Sequence, residues 1–305
     1  MTATPNSAGP VPIGPRNWPM WLLVGAMAAL ARLPWPLQRG LGRGLGSLLR
    51  LAMGSRRRVA ARNLALCFPD LDVHARDRLL HANFAALGIG LFEFTRAWWG
   101  SLAAPRRGLR VDGLEHLQAA VAAGRGVILV SGHFTTLEIC GRLLCDHVKL
   151  AGMYRPHSQP ALEWAVKRGR LRYASAMFSR EELRPAIRHL KEGGVLWFAP
   201  DQDTRRGESV YVPFFGRPAS SLTSTHQMAR LSGATVLAFG HERRDDGSYA
   251  LRLSPAFAGF PSRDATADTA VVMREIESMV RAVPEQYLWI HRRFKHHPGG
   301  DDPYR

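Results

Sequence analysis

Acidic residues are scarce in this chain: 25 Asp and Glu stand against 41 Lys and Arg among 305 residues, for a formal net charge of +16. Such an excess calls for an anionic partner: nucleic acid, an anionic membrane surface, an acidic protein or a phosphorylated substrate. Nucleic acid is set aside, because no RNP, helix-turn-helix or zinc-finger word occurs. Cysteine is scarcer still. Cys67, Cys140 and Cys145 are odd in number and form no C-x-x-C pair, so they read as buried thiols in a reducing compartment. No cluster has metal-ligand spacing, no glycine-rich phosphate loop of either standard type is present, and no segment repeats. The chain therefore calls for no metal and no cofactor.

A bilayer-length apolar run is also missing. Residues 18–31 are almost purely apolar, but fourteen helical residues reach only about 21 Å, against roughly 30 Å of hydrocarbon. Ala29-Leu30-Ala31 resembles a signal-peptidase site. The arginines that follow (39, 43, 50, 56, 57, 58 and 62) argue for retention on the cytoplasmic side instead. The expectation is an uncleaved membrane anchor, tilted or lying in the interface. Residues 37–53 alternate apolar residues with Arg and Gly. They read as an interfacial amphipathic helix with Trp18, Trp21 and Trp35 near headgroups, or as an ordinary packing helix with solvated arginines. The proline-rich residues 1–15 read as disordered, 16–56 as the anchor and interfacial helix, and 57–305 as the main domain.

What is present is a strand-and-turn word at residues 126–138, GVILVSGHFTTLE. Val127-Ile128-Leu129-Val130 is a β-branched run suited to a strand buried on both faces, and Ser131-Gly132 ends it. His133 then falls at the carboxyl end of a strand just before a helix, where open α/β sheets carry their chemistry. His133 and Glu138 would lie about 140° apart on one continuous helix, so they meet only if the chain turns between them. Two readings of Glu138 stand open. In one it holds one imidazole nitrogen and leaves the other as a base toward a hydroxyl; in the other it closes a capping box with Thr135.

The remaining pattern alternates. One or two helices fill 71–99, with two the expectation, and Phe92, Phe94, Trp98 and Trp99 belong to the core or to a lipid groove. A helix at 113–123 leads into the first central strand. Strands follow at 148–154, 194–199, 209–215, 235–241 and 249–253, with helices at 161–172, 180–191, 222–231 and 266–283. This predicts an α/β fold: a mixed, mostly parallel central sheet flanked by helices, behind an N-terminal membrane-anchoring helical segment. Asp201 and Asp203 end a central strand, where paired carboxylates hold Mg²⁺ or arginines; arginine is favoured here. Arg155 follows another strand and suits a phosphate. Residues 220–225 begin a helix that caps itself or holds an anion. His226, His291, His296 and His297 read as structural or surface residues. The basic, aromatic run 289–297 meets phosphates or is a solvated face.

In this order, the words HFTTLE, YRP, PDQD, VPFFG and PEQYLWIHRRFK resemble the late acyltransferases of lipid A biosynthesis, lauroyl- and myristoyl-type enzymes of the lysophospholipid acyltransferase superfamily. The likeness runs from about residue 57 to the C-terminus. Gln202 stands where many members have His, and residues 204–206 depart from the usual continuation. The resemblance implies a membrane-bound enzyme at the cytoplasmic face of the inner membrane. It would move a fatty acyl chain from acyl carrier protein to a hydroxyl of a phosphorylated, acylated glucosamine disaccharide. His133 and Glu138 would then be catalytic, with Arg155, Arg170, Asp201 and Asp203 binding substrate. A glycerophospholipid or other glycolipid acceptor, or a non-catalytic protein that binds anionic lipid, are the alternatives.

Overall fold

The protein is described here by a computed structural model covering residues 5–203, 207–300 and 302–304. Helices α1 (Trp18–Leu30), α2 (Trp35–Ala52), α3 (Gly54–Cys67), α4 (Val73–Trp99) and the short α5 (Ala103–Arg106) precede any strand. Then come β1 (Arg110–Asp112), α6 (Leu114–Ala122), β2 (Val127–Val130), α7 (Leu137–Leu144), β3 (Leu150–Tyr154), α8 (Pro160–Arg170), β4 (Ala176–Ser179), α9 (Leu183–Lys191) and β5 (Val195–Phe198). Next come β6 (Ser209–Phe214), β7 (Arg217–Leu222), α10 (Ser224–Ser232), β8 (Thr235–Arg243), β9 (Tyr249–Leu253) and α11 (Ala265–Ala282), followed by a C-terminal segment from residue 283 that opens with a 3-10 turn, Pro284–Gln286.

Seven strands form one sheet in the order β1-β9-β8-β2-β5-β3-β4. Every neighbouring pair is parallel except β8 and β9, as the alternating pattern predicts. Strand β2 lies between β5 and β8 and is buried along its whole length. Its side chains alternate between two apolar clusters, Ile128 and Val130 on one face, Val127 and Leu129 on the other. A four-residue strand with helices packed on both faces must be apolar at every position, which is why it reads as a continuous run. Strands β6 and β7 form a separate antiparallel hairpin.

Several short elements were not legible. Strands β1, β4 and β7 carry no sustained alternation, and Ser220 and Ser221, read as a helix start, lie in β7. The stretch 71–99 holds one helix of 27 residues, Val73–Trp99, not two. Gly88 does not break it; it marks a crossing with α2. A Cβ at Gly88 would lie 2.1 Å from the Gly42 carbonyl oxygen, and one at Gly46 would lie 2.2 Å from the Phe84 carbonyl oxygen. Helix α2 therefore turns Gly42 and Gly46 inward, while Leu37, Leu41, Leu48 and Leu51 face outward. The crossing is secured by buried Gln38, which donates to the Leu30 carbonyl and accepts from Arg96 Nε at 2.8 Å.

Trp35 is buried and donates to the Gly247 carbonyl, and Trp21 packs edge-on against Trp164; only Trp18 of the three tryptophans is widely exposed. Residues 1–15, read as disordered, include ordered contacts: Pro5 accepts from the Met177 amide, and Gly9 accepts from Trp164 Nε1. Residues 1–4 lie outside the described ones. Among the described residues no helix is long and apolar enough to cross a membrane.

The helix crossing makes a sharp prediction. Gly46→Val should destabilise the protein by about 1–3 kcal/mol through overpacking. Gly44→Ala, whose Cβ would meet open space, should be neutral or stabilising by about 0.5–1 kcal/mol. Paired urea melts check both, and equal midpoints would contradict the crossing.

Candidate active site

Paired residues Val130 and Phe198 end β2 and β5 side by side. Three residues beyond them come His133 and Asp201, so adjacent parallel strands deliver a base and a carboxylate to the same edge. Asp201 is fully buried and both its oxygens are occupied. Oδ1 lies 2.6 Å from His133 Nδ1, while Oδ2 accepts from the His133 amide at 2.9 Å and from the Tyr287 hydroxyl at 2.8 Å. Tyr287 arrives from the C-terminal segment. That segment pairs with the histidine turn: Leu288 donates to the His133 carbonyl at 2.9 Å, and Thr135 donates to Gln286 at 2.8 Å.

With Nδ1 facing the carboxylate, the neutral ring carries its proton on Nδ1 and presents Nε2 as a base. Nε2 makes no hydrogen bond among the described residues, and the side chain is 31% exposed. Burial disfavours the imidazolium, but the Asp201 charge and hydrogen bond outweigh it and raise the His133 pKa above the usual value. Burial likewise opposes ionisation of Asp201, yet His133, its amide and Tyr287 hold the carboxyl well below the ordinary range.

The histidine turn has a second support that sequence reasoning missed. His241, on β8, spans the turn: Nε2 is 3.2 Å from Ser131 Oγ and Nδ1 is 2.9 Å from Thr136 Oγ1. Phe134, Trp197 and Phe239 pack around the ring. Burial pushes its pKa down to about 3, so it stays neutral and bridges two hydroxyls. No sequence signal marks it, because β8 only meets β2 through tertiary pairing.

Glu138 is not the partner of His133. It sits in the first turn of α7, buried, and turns toward α4 and α8. Arg170 grips it from Nε and Nη2 at 3.0 and 2.8 Å, Trp98 Nε1 donates at 2.6 Å, and the Tyr173 hydroxyl donates at 2.7 Å. The capping box is absent as well, since no side chain caps α7. Burial raises the Glu138 pKa, but Arg170 and the other donors overcome it and keep the carboxylate ionised. Arg170, expected to bind substrate, is the cation of this pair. Its guanidinium is engaged by Glu138 and lies over the Phe94 and Tyr154 rings. Its neighbour Arg172 donates to the Trp98 carbonyl at 2.8 Å.

Asp203 was expected to hold an arginine and instead holds His296, accepting from its amide at 2.8 Å and facing Nδ1 at 2.7 Å. Both strand-end acids thus hold histidines. The C-terminal segment, remote in sequence, crosses this edge of the sheet. Thr204, Arg205 and Arg206 lie outside the described residues. Arg155 stands exposed past β3 and makes no hydrogen bond or ion pair among the described residues. His226 is structural, buried 2.7 Å from Asp268. Ser221 Oγ and the Ser220 carbonyl receive Arg293, so that stretch holds a cation. Cys67 and Cys140 are buried and Cys145 is half-buried. Burial raises all three thiols, that of Cys145 to about 12, which leaves them protonated and poor nucleophiles.

An imidazole fixed at one nitrogen and open at the other, at the carboxyl edge of a parallel sheet, is able to take a proton from a hydroxyl brought to it. The comparisons name the class. Residues 13–296 match the model of the bacterial lipid A biosynthesis acyltransferase family, and the chain belongs to it. It is 38% identical over 288 residues to the lipid A biosynthesis lauroyltransferase of Escherichia coli K12, covering 94% of each chain. It is 37% identical over 289 residues to the lipid A biosynthesis palmitoleoyltransferase of the same strain, again 94% of each. Identity to that strain's lipid A biosynthesis myristoyltransferase is 27% over 305 residues, 95% of this chain and 91% of the relative. The protein is an acyltransferase.

The buried Glu138–Arg170 pair should be intolerant of one-sided change. Arg170→Ala leaves a desolvated carboxylate and should cost about 3–5 kcal/mol in urea unfolding. A loss below about 1 kcal/mol, the level of an exposed pair, would contradict the geometry.

Proposed function

We propose that this enzyme transfers a fatty acyl group from an acyl carrier protein thioester to a hydroxyl of a phosphorylated, acylated glucosamine disaccharide. The single observation that carries the mechanism is the His133–Asp201 pair with Nε2 left open. His133 Nε2 takes the proton of the acceptor hydroxyl as its oxygen attacks the thioester carbonyl. The tetrahedral adduct then expels the thiolate, which recovers the proton from the imidazolium. Asp201 orients the ring and balances its transient charge. No acyl-enzyme is required, because the donor is already activated and the acceptor is already an alcohol.

Other residues have supporting roles. Exposed Arg155, past β3 at the same edge, is free to meet an acceptor phosphate. Glu138 and Arg170 act as positioning residues that tie α7, which follows the histidine turn, to α8. The net charge of +16 suits an acidic carrier protein and an anionic membrane. Trp18, Leu22, Leu23 and Leu30 on α1, and Leu37, Leu41, Leu48 and Leu51 on α2, are exposed apolar side chains, and α2 also carries exposed Arg43. We read these residues as a surface lying on the cytoplasmic face of the inner membrane, its leucines among acyl chains and Arg43 at headgroups.

The test is a mass-spectrometric assay with phosphorylated tetra-acyl disaccharide, competing lysophosphatidic acid and mixed acyl carrier protein thioesters. Wild type should add one acyl chain to the disaccharide. His133→Ala should lose about 10²- to 10⁴-fold in kcat. Preference for lysophosphatidic acid would overturn the acceptor, and near-normal turnover by His133→Ala would overturn the base. The neutral imidazole is the active form, so activity should rise with pH through a pKa above the usual histidine value. Asp201→Asn removes the carboxylate and should shift that limb to lower pH while lowering kcat. An unmoved limb would detach Asp201 from the base. For the membrane surface, Leu41→Asp with Leu48→Asp should abolish flotation with phosphatidylglycerol vesicles, and undiminished flotation would refute it.

A further inference from the structure

A cavity of about 160 Å³ lies where α3 meets β7 and the C-terminal segment, lined by Arg62, Leu66, Arg217, Phe294, His297 and Pro303. Among the described residues, its lining has three potential cations and no carboxylate. Arg62 uses Nε on the Pro303 carbonyl at 3.0 Å, and Arg217 uses Nε on the Leu66 carbonyl at 3.1 Å. Each guanidinium is thereby aimed, while its terminal nitrogens make no hydrogen bond or ion pair among the described residues. His297 Nδ1 accepts from the Gly299 amide at 3.1 Å, so in the neutral ring Nε2 carries the proton and donates. The floor is apolar, Leu66 and Phe294, both buried.

The C-terminal wall is tied to α3. Asn63, one residue along α3 from Arg62, donates at 2.7 Å to both the Trp289 and His291 carbonyls and accepts from the Tyr304 hydroxyl. Two preset guanidinium forks and an imidazole N–H beside an apolar floor match a dianion with three terminal oxygens. They match a phosphodiester, with one charge, less well.

We propose that the Arg62–Arg217–His297 cavity is a binding site for a phosphate monoester. It connects to the candidate active site through one segment: Leu288 bonds His133, and Phe294, six residues on, floors the cavity. Six residues span at most about 20 Å, within reach of a second phosphate on one large acceptor headgroup. That source rests on the acyltransferase reading given above; free phosphate is the other source of the same chemistry.

The test has two arms on the full chain in non-ionic detergent. In the first, inorganic phosphate is titrated against chloride at matched ionic strength, and thermal melting is followed for wild type, Arg62→Gln and Arg217→Gln. Wild type should show a phosphate-specific rise in Tm, and each variant should weaken the apparent affinity about tenfold, the loss of one charge-assisted contact. Melting without phosphate reports whether each variant folds, and His297→Gln, which keeps a donor, should weaken binding less. In the second, KM is compared for bisphosphorylated and monophosphorylated disaccharide acceptors. A wild-type preference that collapses in Arg217→Gln assigns the site to the acceptor. Phosphate binding without that collapse supports the site and assigns it to free phosphate. No phosphate-specific shift and no change in the KM ratio overturn the proposal. If wild type acylates neither acceptor, the acyltransfer reading falls, and the binding arm alone decides the cavity.

Discussion

The candidate active site depends on one buried carboxylate. Asp201 has no exposed surface, and a charge so placed survives only when it is paired and hydrogen-bonded. Its three donors come from two segments far apart in sequence: the turn after β2 supplies His133 twice, and the C-terminal segment supplies Tyr287. The requirement to satisfy Asp201 therefore holds the base, the end of β5 and the tail together. The same bonds set the tautomer of His133. Structural necessity and chemical preparation are here a single constraint.

Around this pair the protein separates two acids by environment. Glu138 and Asp201 are both buried and both ionised, but their partners differ in kind. Arg170 keeps its charge at every accessible pH, so the Glu138 pair is a fixed brace between α7 and α8. The Asp201 pair instead holds a titratable imidazole, whose pKa it raises above the ordinary histidine value, with Nε2 left open. Neutral His241 braces the turn from the other side without adding a charge that would oppose the imidazolium.

The N-terminal helices follow a different logic. Glycines let α2 approach α4 to backbone contact, and buried polar bonds through Gln38 and Arg96 secure the pair. Packing by glycine leaves Leu37, Leu41, Leu48 and Leu51 facing outward, while Leu49 packs against the core.

The β2 word, the strand-helix alternation and the location of His133 were legible because they are local: a four-residue apolar run, a Ser-Gly turn and helical periodicity need no partner to be read. The order of the words also carried the family. What local pattern could not supply was which acid meets which base. Glu138 lies five residues from His133 and Asp201 sixty-eight, so proximity in sequence pointed to the wrong carboxylate. The choice was made by the parallel register of β2 with β5, which ends both strands level, and by the direction in which α7 leaves the turn, which swings Glu138 toward Arg170. Sequence determined the elements and the chemistry available at their ends. Tertiary structure decided the pairing, because hydrogen bonds form between groups that are neighbours in space, and only the register of the sheet makes these groups neighbours.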